Sequence, residues 1–99
     1  MVRHIVSWSF DTSLPEEENR NLALRMKKDL EKLPRVIEGI VELKVMIDLL
    51  PSSNVNVSLN SLFESEEALN AYQIHPDHKS VSAYAGPLLK DRRCIDYVE

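Results

Sequence analysis

The segment Tyr72-Gln73-Ile74-His75-Pro76-Asp77-His78 gathers two imidazoles, a phenol and a carboxylate within seven positions. Imidazole titrates near neutral pH and serves as acid or base, while a phenol can donate a hydrogen bond to a developing oxyanion. A structural reading stands beside this one, with Tyr72 a core aromatic and His75 and His78 capping or surface groups. His4, near the N-terminus, and Asp96, near the C-terminus, could join the cluster, since a buried carboxylate commonly orients a histidine ring. No metal site is expected. Zinc wants three or four ligands, Pro76 breaks the register that would align His75 with His78, and no spacing ties His4 and Cys94 to them. Cys94 is the only cysteine, so it has no intrachain disulfide partner, and it reads as a small hydrophobe.

The elements that must position these groups follow from periodicity. From Val2 to Phe10 the chain alternates, with Val2, His4, Val6, Trp8 and Phe10 on one face and Arg3, Ile5, Ser7 and Ser9 on the other, which predicts a strand. Ser13 is placed to cap a helix, Pro15 suits its first turn, and Glu16, Glu17 and Glu18 favour its positive end. Leu22, Met26, Leu30 and Leu33 keep helical spacing, and Pro34 should end the helix at Leu33. After Gly39, Val41, Leu43, Val45 and Ile47 predict one face of a second strand. Pro51-Ser52-Ser53-Asn54 is turn chemistry, and Val55, Val57, Leu59 and Phe63 predict a third strand, completing a hairpin. A second helix opens at Ser65-Glu66-Glu67, with Ala68, Leu69 and Tyr72 inward. Pro76 should split it into two pieces, the second running over Asp77 to Leu89 with Gly86-Pro87 inside it. Arg93 to Val98 predicts a fourth strand, with Cys94, Asp96 and Val98 on the face opposite Ile95 and Tyr97.

The order β-α-β-β-α-β predicts an α+β ferredoxin-like fold, a four-stranded antiparallel sheet with its helices on one side. Ninety-nine residues (11.4 kDa) leave nothing to cover the other side, so a single domain over 1-99 that forms a homodimer, sheet to sheet, is expected. The net charge of -4 gives no general pull toward nucleic acid or anionic membrane. No apolar run approaches the roughly 20 residues of a membrane span, and the segment MVRHIVSWSF is too short and polar for a signal peptide. A cytoplasmic protein is the expectation. With two glycines in the chain there is no dinucleotide fingerprint, P-loop or nucleophile elbow, and no cofactor is expected.

His4-Ile5-Val6, Phe63-Glu64-Ser65 leading into Ala68-Leu69 and Tyr72, His75-Pro76-Asp77-His78, and Asp96-Tyr97 together resemble the stress-responsive A/B barrel (Dabb) family over essentially the whole chain. That family includes plant stress-induced proteins and olivetolic acid cyclase, which closes a linear polyketide by aldol condensation without a cofactor. The resemblance implies a dimeric α+β barrel, with Tyr72 and His78 at the positions of that enzyme's catalytic tyrosine and histidine and with His4 and Asp96 matching two further site positions. Trp8 is bulky and the first helix offers Leu22, Ala23 and Met26 rather than several aromatics, so less room is left for a long polyketide. Two roles are open. One is a protein binding a small organic ligand between sheet and helices, with His4, Val6, Trp8 and His75 as binding residues. The other is a cyclase- or lyase-like enzyme using Tyr72 and His78 on a carbonyl substrate, with Asp96 orienting. A cavity of several hundred Å3 lined by His4, Trp8, Tyr72 and His78 would favour the second.

Overall fold

Alternation in the N-terminal segment has the consequence it predicts. In a computed structural model describing residues 1–99, β1 (Val2–Phe10) is a strand whose even positions Val2, His4 and Val6 are buried. It lies in the interior of an antiparallel sheet of order β2-β3-β1-β4, with β2 at Ile40–Met46, β3 at Val57–Phe63 and β4 at Leu89–Val98. The helices α1 (Glu16–Glu31), α2 (Glu66–Ile74) and α3 (Pro76–Ala85) cover one face, giving the ferredoxin-like α+β arrangement. No helix is long and apolar enough to cross a membrane.

The core forms where the inner sheet face meets α1 and α2. Val6, Val45, Val57, Leu59 and Phe63 from the strands pack with Met26 and Tyr72 from the helices, all essentially without solvent contact. Removing such apolar surface from water is worth roughly 1.5–3 kcal/mol per large side chain. Ser61 is also buried on this face, where its hydroxyl donates to the His4 carbonyl oxygen at 2.9 Å. Gly39 adopts φ +89°, and a Cβ there would lie 2.5 Å from the Ala68 Cβ, so this glycine lets the entry to β2 pass directly beneath α2.

Several local expectations are corrected. Ser13 does not cap α1, because its N–H and its hydroxyl both donate to the Asp11 carboxylate, at 2.9 and 2.7 Å, in an Asx-type turn. The helix therefore begins at Glu16, with extended Pro15 before it. It ends at Glu31 rather than Leu33, as the chain tightens into a short 3-10 turn over Leu33–Arg35 that accommodates Pro34. Val41 does not join the inner face of β2. A register shift between Ile40 and Glu42 makes it an extra residue, and it is exposed. The second part of the split helix stops at Ala85, and Gly86–Leu88 is a 3-10 turn rather than its continuation. The fourth strand starts earlier than Arg93, at Leu89, through an irregularity opposite Trp8.

The edge strand β2 is tied to α1 through side chains. Glu31 accepts from the Val45 N–H at 2.9 Å, and Lys27 donates to the Val45 carbonyl oxygen at 2.6 Å and to Glu31 at 2.8 Å. Partial burial works against the Glu31 charge, but Lys27 and the Val45 N–H together hold its pKa below the ordinary value.

Candidate functional site

Strand pairing sets the first two groups. β1 and β4 run antiparallel with His4 opposite Asp96 and Val6 opposite Cys94, which puts all four side chains on the helix-covered face. His4 is buried, and its Nδ1 is hydrogen-bonded to Asp96 Oδ1. A carboxylate only accepts, so Nδ1 carries the proton and Nε2 is the nitrogen left for the space beneath the helices. The histidine that Asp96 orients is thus His4, while His78 is held by another acceptor.

Pro76 sets the other two. It lacks an N–H and forces the preceding residue out of helical geometry, so His75 is extended (φ −65°, ψ 136°) between α2 and α3. The predicted break is present. His75 Nδ1 accepts from the Asp77 N–H at 3.1 Å and caps α3. His75 does not line the cavity described below, so the sequence-based assignment of it to the ligand site is corrected to a capping role. The break also sends His78 back across the end of α2. Its ring lies 4.3 Å from that of Tyr72, centroid to centroid, and its Nδ1 donates to the Gln73 carbonyl oxygen at 3.2 Å. That bond fixes the neutral tautomer with Nε2 unprotonated. Desolvation lowers the His78 pKa below its ordinary 6.5 against the opposing effect of the Gln73 bond, and the positive charge of Arg92 adds to the lowering.

Tyr72 is buried on the inner face of α2, its ring stacked among His4, Phe63 and His78. Burial raises its pKa well above the ordinary tyrosine value, so it is a neutral phenol and a hydrogen-bond donor. Neither its hydroxyl nor His4 Nε2 is sealed in the core, because the one fully buried side-chain polar atom lacking a partner is Asn19 Oδ1, at the start of α1. Both residues line a cavity of about 240 Å3 between sheet and helices. Its walls include His4, Val6, Trp8, Tyr72 and His78, with Met26, Leu30 and Leu59 as apolar floor and Arg92 at one side. Arg92 is a polar lining residue that periodicity missed, because counting back from Arg93 stops one residue short of it.

The same pairing brings His4 Nδ1, Cys94 Sγ and an Asp96 oxygen within 4.8 Å of one another. Three ligand types converge here, yet the His4–Asp96 hydrogen bond occupies the place a cation would take between them. Cys94 remains a protonated thiol, its pKa raised by burial and by the Asp96 charge.

A four-stranded ferredoxin-like sheet with this cavity under its helices defines the class, and comparison defines the family. Residues 2–99 match the Stress responsive A/B Barrel Domain (Dabb) family, and the chain belongs to it. No curated protein sequence matches the chain. Among solved structures, a dimeric ferredoxin-like protein of unknown function from Bacteroides fragilis is similar at 28% identity and TM-score 0.93, over 99% of this chain and 95% of that one. A second dimeric ferredoxin-like protein of unknown function, from Thermobifida fusca, is similar at 25% identity and TM-score 0.82, over 99% and 90%. The hydroxynitrile lyase of Passiflora edulis shares the fold at 18% identity and TM-score 0.78, over 99% and 92%.

Proposed function

We propose that the chain acts as a homodimer that binds a small carbonyl compound in the cavity beneath α2 and α3 and performs cofactor-independent acid–base chemistry on it. The observation that carries this reading is that Tyr72, His78 and His4 line one mainly apolar cavity together. At about 240 Å3 the space is smaller than the several hundred Å3 named above as favouring an enzyme, and than the ~300–1,000 Å3 of drug-sized sites, so the reading rests on the residues that line it and the ligand is small.

The chemistry follows from protonation states. Neutral His78 takes a proton from the carbon next to the carbonyl, and the electron pair moves to the carbonyl oxygen as an enolate. The Tyr72 hydroxyl donates to that oxygen, and the proton returns from His78 to carbon or to a leaving group. His4, held by Asp96, offers a second imidazole nitrogen to the same ligand. A protein that only holds its ligand would use the same cavity without the proton transfer. That the fold houses a hydroxynitrile lyase supports its compatibility with such chemistry.

Benzylacetone in deuterated water separates the two, because removal of its α-proton appears as deuterium incorporation by NMR. The wild-type chain should accelerate exchange, and His78→Ala should reduce the acceleration by about 10²–10⁴-fold while the fold persists. Binding of benzylacetone without exchange would leave the binding role and remove the catalytic one. An H78A variant that keeps full activity but unfolds more easily would make His78 structural.

A further inference from the structure

The irregularity in β4 has a specific geometry. Ser7 pairs with Arg93, but Ser9 pairs with Lys90, so Asp91 and Arg92 together oppose the single residue Trp8. This is a β-bulge, and its first residue, Asp91, sits in the left-handed region at φ 52°. An aspartate there carries a cost that glycine would not, although it tolerates the region better than most residues. Strain of that kind persists when the surrounding structure has a use for it, and bulges characteristically re-aim a side chain.

Here the side chain re-aimed is Arg92. Strict alternation runs Leu89 inward, Lys90 outward and Cys94 inward, with Arg93 outward beside Ser7. The extra residue slots Arg92 onto the cavity side between Leu89 and Cys94. None of the eight ion pairs of the chain involves Arg92, whereas its neighbour Lys90 is paired with Asp11. The cavity lining holds no aspartate or glutamate, and the nearby Asp96 is taken by His4. Arg92 acts electrostatically on Tyr72, His78 and Cys94 alike, which places its charge over the same reactive corner.

We infer that Arg92, presented by the Asp91 bulge, is an anion-binding group and that the ligand is a small carbonyl compound bearing a carboxylate. A guanidinium with five donors and no ion-pair partner, in reach only of the Cys94 thiol and beside an apolar chamber free of acidic side chains, matches a carboxylate at one end of a mainly hydrocarbon molecule. The carboxylate on Arg92 would leave the carbonyl oxygen facing Tyr72 and the hydrocarbon end toward Met26, Leu30 and Leu59.

This rests on the reading of the cavity as the ligand site, and the test separates the two. Benzylpyruvate and benzylacetone differ only in carrying a carboxylate or a methyl group on the carbonyl. Both are titrated into the isotopically labelled wild-type chain and into Arg92→Gln, with binding read from resonances of Trp8, Tyr72 and His78. The inference expects benzylpyruvate to bind wild type about tenfold or more tightly than benzylacetone, since charge-assisted hydrogen bonds are worth that much or more. The preference for benzylpyruvate over benzylacetone should vanish in R92Q. Equal binding of the two by wild type, or a preference that survives in R92Q, overturns the role of Arg92 and leaves the cavity reading standing. Failure of both compounds to perturb these resonances overturns the cavity reading, and the anion site falls with it.

Discussion

His78 owes its chemistry to a carbonyl oxygen and a lack of water. The Gln73 carbonyl holds Nδ1–H, and desolvation keeps the ring neutral below its ordinary titration point. The sign of the pH dependence follows. The folded chain binds fewer protons at His78 than the unfolded chain does, so the stabilisation present above 6.5 is lost as pH falls from 6.5 through the lowered value. We predict that the resistance of the wild type to urea unfolding falls between about pH 7 and about pH 5 by more than that of His78→Gln. Indistinguishable slopes for the two proteins would contradict the desolvated ring. The same lowering means that the base form of His78, and any exchange reaction depending on it, should survive to pH values at which a free imidazole is mostly protonated. Much of this site was legible in the residue types. His4, Val6, Trp8, Tyr72 and His78 fall where period-2 alternation and the Pro76 break put them. The partner of Asp96 was not legible, because alternation assigns a carboxylate to a face, whereas only strand register says that it stands opposite His4.

At the scale of elements, what sequence pattern cannot reveal is the insertion of one residue. Two bulges escaped detection, at Val41 in β2 and at Asp91-Arg92 in β4. Each breaks alternation without changing composition, so Val41 counts as core when it is exposed and Arg92 counts as outside the strand when it lines the cavity. The Ser13 cap failed for a related reason, since Asp11 competes for the hydroxyl and nothing in the spacing ranks the two. At Gly39, positive φ and the closeness of Ala68 both demand the absence of a side chain. Gly39→Ala should therefore destabilise the chain by about 1–3 kcal/mol, combining backbone strain with a clash that α2 must move to relieve. Equilibrium denaturation measures it, and an unchanged midpoint would mean that α2 shifts freely. Because α2 carries Tyr72, the variant should also alter the cavity resonances.

The molecule as a whole is two layers where an ordinary domain of this class would welcome a third. The helix-free face of the sheet presents Ile5, Leu62, Ile95 and Tyr97 around the Arg3–Glu42–Glu99 ion pairs, and Ile95 is 56% exposed. Both Bacteroides and Thermobifida neighbours are dimeric, and the same assembly here would cover this face with its own copy. An interface of that kind buries about 1,200–2,000 Å2 or more in total. Sedimentation should return a dimer at micromolar concentration, and Ile95→Asp, a charge placed on the covered face, should return a folded monomer. A wild-type monomer would refute the assembly. Pairing face to face also depends on the edges staying closed, and here the Lys27–Glu31 clamp has a consequence. The Val45 N–H and carbonyl oxygen, the outward rung of an edge strand, are already satisfied by side chains from α1. A strand arriving from another molecule finds no vacant hydrogen bonds at that rung, so open-ended fibrillar growth along the β2 edge is blocked there.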